Sequence, residues 1–303
     1  MSNGISTIRH QVTFTVGPGE GNRSLETYLK SRQKLSVKAV RKVKHHGLAL
    51  VNEQPALFKG QVREGDVIVL VYPPESSDPY LLPEDVPLDI VFEDEEILVL
   101  NKQPRVCVHP TKGYPRGTLA NGILYYWMAQ GKKAAVHVVN RLDRNTSGLV
   151  LVAKSAYAAQ QLFNQQTDGI MRRFYQGLVS GVVSTESGTI DLPIARADDN
   201  TTRRTVCPAG QPSVTHYRVL KRFLRHTMLE LALETGRTHQ IRVHLSHQGY
   251  PLVGDALYGG ELYLLKRQFL HACRLAFLHP VSRREMEFIV PLPSDLQRML
   301  GKI

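Results

Sequence analysis

The stretch Pro73-Pro74-Glu75-Ser76-Ser77-Asp78-Pro79-Tyr80, with Pro83 and Pro87 close behind, constrains the fold of this chain more than any other feature. Proline fixes φ and carries no amide donor, so no helix or strand interior runs across such a segment. The 303 residues therefore divide into a small unit over 1–75, a Pro-rich linker over 76–87 and a large unit over 88–303. That length supports about two domains with properly buried cores.

In the small unit Ser24 is placed to cap a helix carrying Leu25, Tyr28 and Leu29 on one side. Ser36 is placed to cap a second helix, in which Val37, Val40 and Val43 recur at three-residue steps and Gly47 supplies the stop. Leu48 to Asn52 and Val67 to Val71 read as strands, the latter entered through the turn Glu64-Gly65-Asp66. Two helices and a small sheet with this Ser…Val-Asn…Gly-Asp-x-Ile pattern resemble an S4 domain, a small α/β RNA-binding module. Eight Lys or Arg lie between Arg23 and His46 against one acid, Glu26. A charge run is usually a solvated face. The resemblance instead makes Lys34, Lys38, Arg41 and Lys42 RNA contacts. No aromatic platform accompanies them, so phosphate and shape are the expected targets.

The large unit is dominated by short apolar runs bounded by turn formers. Strands are expected at 88–92, 97–100, 148–153, 175–179, 215–223, 228–233, 270–278 and 286–290, with helices at 118–130, 155–166, 238–247 and 294–301. This is an α+β pattern with a central mixed, largely antiparallel sheet flanked by helices.

One loop in that frame is chemically loaded. Asn140-Arg141-Leu142-Asp143-Arg144-Asn145-Thr146-Ser147-Gly148 leads straight into the apolar run Leu149 to Ala153. A carboxylate between two arginines, on a tight turn beside a core strand, is held ionised and aimed. Taken locally, an Asx-type turn with solvated arginines accounts for the pattern equally well. A second segment, Glu234-Thr235-Gly236-Arg237-Thr238-His239-Gln240-Ile241-Arg242-Val243-His244-Leu245, continues to Gly254-Asp255 and Tyr258-Gly259. With Arg173 to Gly181, Leu270 to Leu275 and Phe277 to Pro280, these segments resemble, in order and spacing, the RluA-type pseudouridine synthases across roughly residues 88 to 300.

The resemblance implies a pseudouridine synthase fold and isomerisation of uridine in RNA. The N1–C1′ bond breaks, the base turns, and C5 joins C1′. It makes Asp143 the catalytic aspartate, Arg242 the arginine that pairs with it, and Tyr175 the aromatic against the everted uracil. Whether such an aspartate attacks C1′ or acts as a base is left open. Arg141 is implied to insert into the RNA, and Arg144, Asn140 and Leu245 to contact substrate. Ile241 and Leu245, at i and i+4, also anchor a helix started by Thr238. Asn140 stands where the family usually has His, and Arg173 where it usually has Lys; Arg keeps the charge without the geometry of Lys. A non-catalytic RNA-binding or ribosome-assembly protein that keeps the fold is the competing class, with Asn140 its sequence hint.

Bulk properties agree with a polyanionic partner. Lys plus Arg is 38 against 27 Asp plus Glu, a formal charge of +11. The expected partner is RNA, either rRNA (the large subunit favoured) or tRNA. Cys107, Cys207 and Cys273 form no Cys-x-x-Cys pair, pointing to a reducing cytoplasm without a zinc site or disulfide frame. His239, His244 and His247 lack metal-site spacing, and Asp255 reads as a turn or structural residue. The chemistry calls for no metal and no organic cofactor. No apolar stretch reaches a membrane-spanning length, Met1 to Gln11 lacks the core of a signal peptide, and a monomer is the default.

Overall fold

The computed structural model describes residues 10–75, 79–132, 135–198 and 202–303. The expectation for Met1 to Gln11 falls mostly outside that range, as do Ser76 to Asp78 of the linker.

The small unit is a four-stranded sheet in the order Gln11–Thr15, Val67–Val71, Leu48–Val51, Gln54–Pro55, covered by two helices. Helix α1 (Leu25–Ser31) and helix α2 (Val37–His46) begin at Ser24 and Ser36, whose hydroxyls accept the Thr27 and Ala39 amides at 3.2 Å. Leu25, Tyr28, Leu29, Val40 and Val43 are buried against the sheet. Val37, in the first turn of α2, is instead half exposed at 50%. Gly47 ends α2 where a Cβ would lie 2.4 Å from the Val71 carbonyl.

The large unit is built on one mixed sheet, with a two-stranded sheet of Ile194–Arg196 and Arg204–Val206 beside it. The path of the mixed sheet runs Ser187–Asp191, Val214–Arg222, His226–Leu233, Arg172–Ser180, Leu270–Leu278, Ser147–Ala153, Ile97–Lys102, Ile90–Glu93. Pairing is antiparallel except at Ser147 and Gly148, which run parallel to His271 and Ala272. The strand Ser147–Ala153 is buried at every residue, as its unbroken apolar run requires.

Alternation along the central strands builds two cores. Leu98, Leu100, Val150 and Val152 point to one face, where helix α3 (Leu119–Ala129) brings Leu119, Ile123 and Trp127, and helix α5 (Gln240–His247) brings Ile241 and Leu245. Ile97, Val99, Leu149 and Leu151 point to the other, under Ala158, Ala159 and Leu162 of helix α4 (Ala156–Thr167). Helix α6 (Ser294–Leu300) packs Leu296 and Met299 on Leu178 and Phe269.

The described part of the linker is not a free tether. Leu81 is buried with Ala120 and Leu124, the Asn121 side chain donates to the Leu82 carbonyl at 2.6 Å, and Glu84 accepts the Gly117 amide at 2.7 Å. The two units also share packing. Tyr157 of α4 lies in the core of the small unit beside Phe14 and Tyr72. Glu75 accepts the Ala156 amide at the start of α4 (2.6 Å) and pairs with His137, while His10 pairs with Glu96. Among the described residues, no helix is long and apolar enough to cross a membrane.

Candidate active site

The loop between Asn140 and Ser147 is built from the sheet outward. Asn140 is buried: its amide donates to the Leu149 carbonyl at 3.1 Å, and its side-chain oxygen accepts the Leu151 amide at 2.7 Å. Both bonds tie it to the strand that follows, and the residue also lines the cleft beside Asp143. The Thr146 amide closes a turn on the Asp143 carbonyl at 3.0 Å, presenting the Asp143 side chain outward. Gly148 follows at φ +112°, where a Cβ would meet the Ala272 carbonyl at 2.2 Å, so only glycine fits.

Two buried cations hold that loop from beneath. The Lys102 ammonium donates to the carbonyls of Gln103 and Val106 at 2.9 Å and of Arg144 at 3.1 Å. Burial pushes its pKa down to about 7, against the opposing pull of the Asp143 charge. Arg267 donates to the Asn145 carbonyl at 3.0 Å while its fork engages Asp295 of α6 at 2.7 and 3.0 Å. Neither cation was singled out from the sequence, because each acts on backbone carbonyls and leaves no spacing signature.

Arg242 lies between two carboxylates. Its Nη1 donates to Asp143 Oδ2 at 3.1 Å, and its Nε and Nη2 grip Asp255 at 2.7 and 2.8 Å. Asp255 is 1% exposed, whereas the Asp143 side chain is 23% exposed. Burial disfavours the Arg242 charge, but its hydrogen bonds to Asp255 and the Asp143 charge outweigh it and raise its pKa. Helix α5 does not start at Thr238 as expected. His239 precedes it in the left-handed region at φ +58°, and the Gln240 side chain accepts the Arg237 amide at 2.9 Å.

Asp143 and Arg242 border a cleft of about 610 Å³, ample for one nucleoside. Arg141 stands exposed at its rim and Tyr175 lines its floor from the strand Arg172–Ser180. Burial raises the pKa of the Tyr175 phenol. Arg173 also lines the cleft, and its Nη2 lies 3.2–3.4 Å from the Leu233, Glu234 and Thr235 carbonyls. Arg144 lies outside the cleft lining, its guanidinium 4.6 Å above the Tyr114 ring.

Leu245 does not reach the cleft. It is 2% exposed and packs with Ile241 in the core beneath α5, which gives it a packing role. The three histidines do not converge. His244 is buried between Thr215 Oγ1 and the Leu192 carbonyl, His247 is exposed, and His239 lines the cleft. Of the basic residues on the small unit, Lys38 and Arg41 are exposed, whereas Lys34 pairs with Asp168 of the large unit (2.6 Å) and Lys42 lies 3.9 Å from Glu75.

Comparison with known proteins adds to this geometry. A family model described as RNA pseudouridylate synthase matches residues 96–247, the span from the first central strand through α5. The RNA pseudouridine synthase YjbO of Bacillus subtilis (strain 168) is 44% identical over 250 residues, covering 82% of this chain and 88% of that protein. Ribosomal large subunit pseudouridine synthase D of Escherichia coli (strain K12) is 42% identical over 232 residues, 72% of this chain and 71% of its own length. The solved structure of human RNA Pseudouridylate Synthase Domain Containing 1 superposes with a TM-score of 0.58 at 28% identity, covering 69% of this chain and 85% of that one.

Proposed function

This chain belongs to the RNA pseudouridylate synthase family and isomerises uridine in RNA to pseudouridine, and from that premise we propose that Asp143 performs the reaction on an everted uridine of large-subunit rRNA. The observation that carries the reading is the half-buried Asp143 carboxylate, 3.1 Å from an Arg242 that a fully buried Asp255 holds from behind. The positive charge needed beside a partly desolvated carboxylate is thereby fixed in place before any substrate arrives.

The isomerisation conserves every atom. N1–C1′ breaks, C5–C1′ forms, C5 loses its proton, and N1 gains one. A base must leave its stack to reach Asp143, which costs a few kcal/mol. Arg141, exposed at the rim, is suited to fill the vacated stack, and Tyr175 on the floor supplies an aromatic face whose stacking is worth roughly 1–3 kcal/mol. The small unit acts as an S4-type RNA-binding module through the exposed Lys38 and Arg41. Lys34 and Lys42 serve mainly the joint with the large unit. The rRNA assignment is supported by the resemblance to the Escherichia coli large-subunit enzyme.

The test is release of tritium from uracil C5 in large-subunit rRNA and in tRNA transcripts. Release from the rRNA is expected, and Asp143→Asn should abolish it while leaving RNA affinity nearly intact. No release from any cellular RNA overturns the activity assigned to Asp143. Release from tRNA alone overturns the rRNA assignment.

A further inference from the structure

His239 lines the cleft with its Nδ1 engaged from behind and its Nε2 turned toward Asp143. Its Nδ1 lies 2.9 Å from the Tyr258 hydroxyl oxygen, and that oxygen accepts the Arg204 amide at 2.8 Å. A phenol carries one proton, and with the amide already donating to its oxygen, that proton is free for Nδ1. Nδ1 then accepts, and a neutral imidazole in this arrangement carries its proton on Nε2. Burial lowers the His239 pKa, with the Asp143 charge opposing, which keeps the ring neutral. The ring is locked edge-on against Tyr258, with centroids 5.7 Å apart at 84°, and Tyr258 in turn lies under the Arg242 guanidinium at 4.9 Å.

Nε2 points toward Asp143 but stops 4.0 Å from Oδ2, beyond hydrogen-bond range. The cleft therefore presents an acceptor and a donor side by side with a gap between them. One oxygen can sit about 2.8 Å from both only if it donates to the carboxylate and accepts from the imidazole. A hydroxyl does so, whereas a carbonyl, a phosphate oxygen or a C–H does not. We infer that His239 is a further catalytic residue, whose Nε2–H and the Asp143 carboxylate together bind the 2′-hydroxyl of the everted uridine. This hydroxyl adjoins C1′, where the bond breaks, and is the group that distinguishes RNA from DNA. The inference rests on the role of Asp143 above and adds to it a way of selecting and orienting the ribose.

Two substitutions separate the halves of the imidazole. His239→Asn keeps a polar group near Nδ1 to meet Tyr258 and suits the left-handed backbone, but it lacks the Nε2 donor. His239→Gln extends an amide N–H toward the Nε2 position. Single-turnover tritium release is measured on RNA carrying uridine or 2′-deoxyuridine at the target, with RNA affinity and melting temperature in parallel. For a deoxy RNA too slow to follow, its inhibition constant against the ribose substrate replaces the rate.

His239→Asn should slow release from the ribose substrate by roughly 10- to 100-fold with little change in affinity, and His239→Gln should recover part of that loss. On the deoxy substrate, wild type and His239→Asn should differ by less than about twofold. Equal ratios on the two substrates, or an unchanged rate on the ribose substrate, overturn the inference. Should His239→Asn fail to fold, Tyr258→Phe removes the proton that fixes the tautomer without touching the strained position. It should reproduce the same narrowing on the deoxy substrate, and equal ratios there also overturn the inference. Wild type releasing no label at all refutes instead the role of Asp143.

Discussion

Arg242 touches two aspartates, and the structure distinguishes them by burial, so removing either should have opposite consequences for folding and for catalysis. Asp255 is 1% exposed and takes two charge-assisted hydrogen bonds from Arg242, at 2.7 and 2.8 Å. Its replacement by Ala leaves a guanidinium in a residue only 7% exposed with one remaining hydrogen bond, to Asp143. Breaking such a buried pair from one side costs about 3–5 kcal/mol, because the remaining charge stays desolvated. In a unit of this size about 2–4 °C of melting temperature accompanies each kcal/mol, so Asp255→Ala should melt roughly 6–20 °C below wild type. Asp143, at 23% exposure with one 3.1 Å contact, contributes far less to stability. Asp143→Asn should shift stability by no more than about 1 kcal/mol, since Arg242 keeps its bidentate grip on Asp255. Thermal unfolding followed by circular dichroism, with tritium release measured on the same preparations, reads both. Equal shifts, or the larger loss in Asp143→Asn, would refute the division of labour between the two acids.

Further consequences are open to equally direct measurement. Asn140→Ala strands the buried Leu151 amide and should cost about 2–4 kcal/mol in urea unfolding, while the folded fraction keeps its turnover. Lys102 has a folded pKa of about 7 and an unfolded value near about 10.4, so between these limits the unfolded chain binds more protons. Its contribution to stability is therefore fully present above about pH 10 and is lost as pH falls toward 7. The stability difference between wild type and Lys102→Met should move in favour of wild type as pH rises through that window, and a constant difference would contradict it. Lys38→Ala with Arg41→Ala should lower the slope of log affinity against log salt by about 1–2 without changing turnover at saturating RNA. An unchanged slope would make that helix face merely solvated. Substitution is a cleaner test than removal of residues 1–75, because removal would expose Tyr157 and free the start of α4 from Glu75.

Much of this architecture was legible in the chain because its signals are local. The capping serines 24 and 36, the turn at Gly65 and the uninterrupted apolar run of Leu149 to Ala153 each specify their element through short-range sterics and solvent preference. The short strands Gln11–Thr15 and Ser187–Asp191 escaped notice. Both alternate with polar residues and lie at sheet edges, so their strand state depends on a partner distant in sequence. The linker shows the same limit: its prolines mark a break in regular structure, but nothing local reveals that Leu81 and Glu84 bind α3.

The sequence by itself determined the chemistry on offer: a loop carboxylate between arginines, a distant arginine helix, a strand tyrosine and a one-sided basic charge. What only the tertiary structure decided is which of these groups meet, and at what burial. Asp143 and Arg242 are 99 residues apart and touch, while Asn140, three residues from Asp143, turns its polar atoms into the sheet. The physical reason is that a charge or hydrogen bond depends on distance and desolvation in space. Those are set when Asp255 with Tyr258, Lys102 and Arg267 are brought in from three separate segments by the packing of the sheet and its helices.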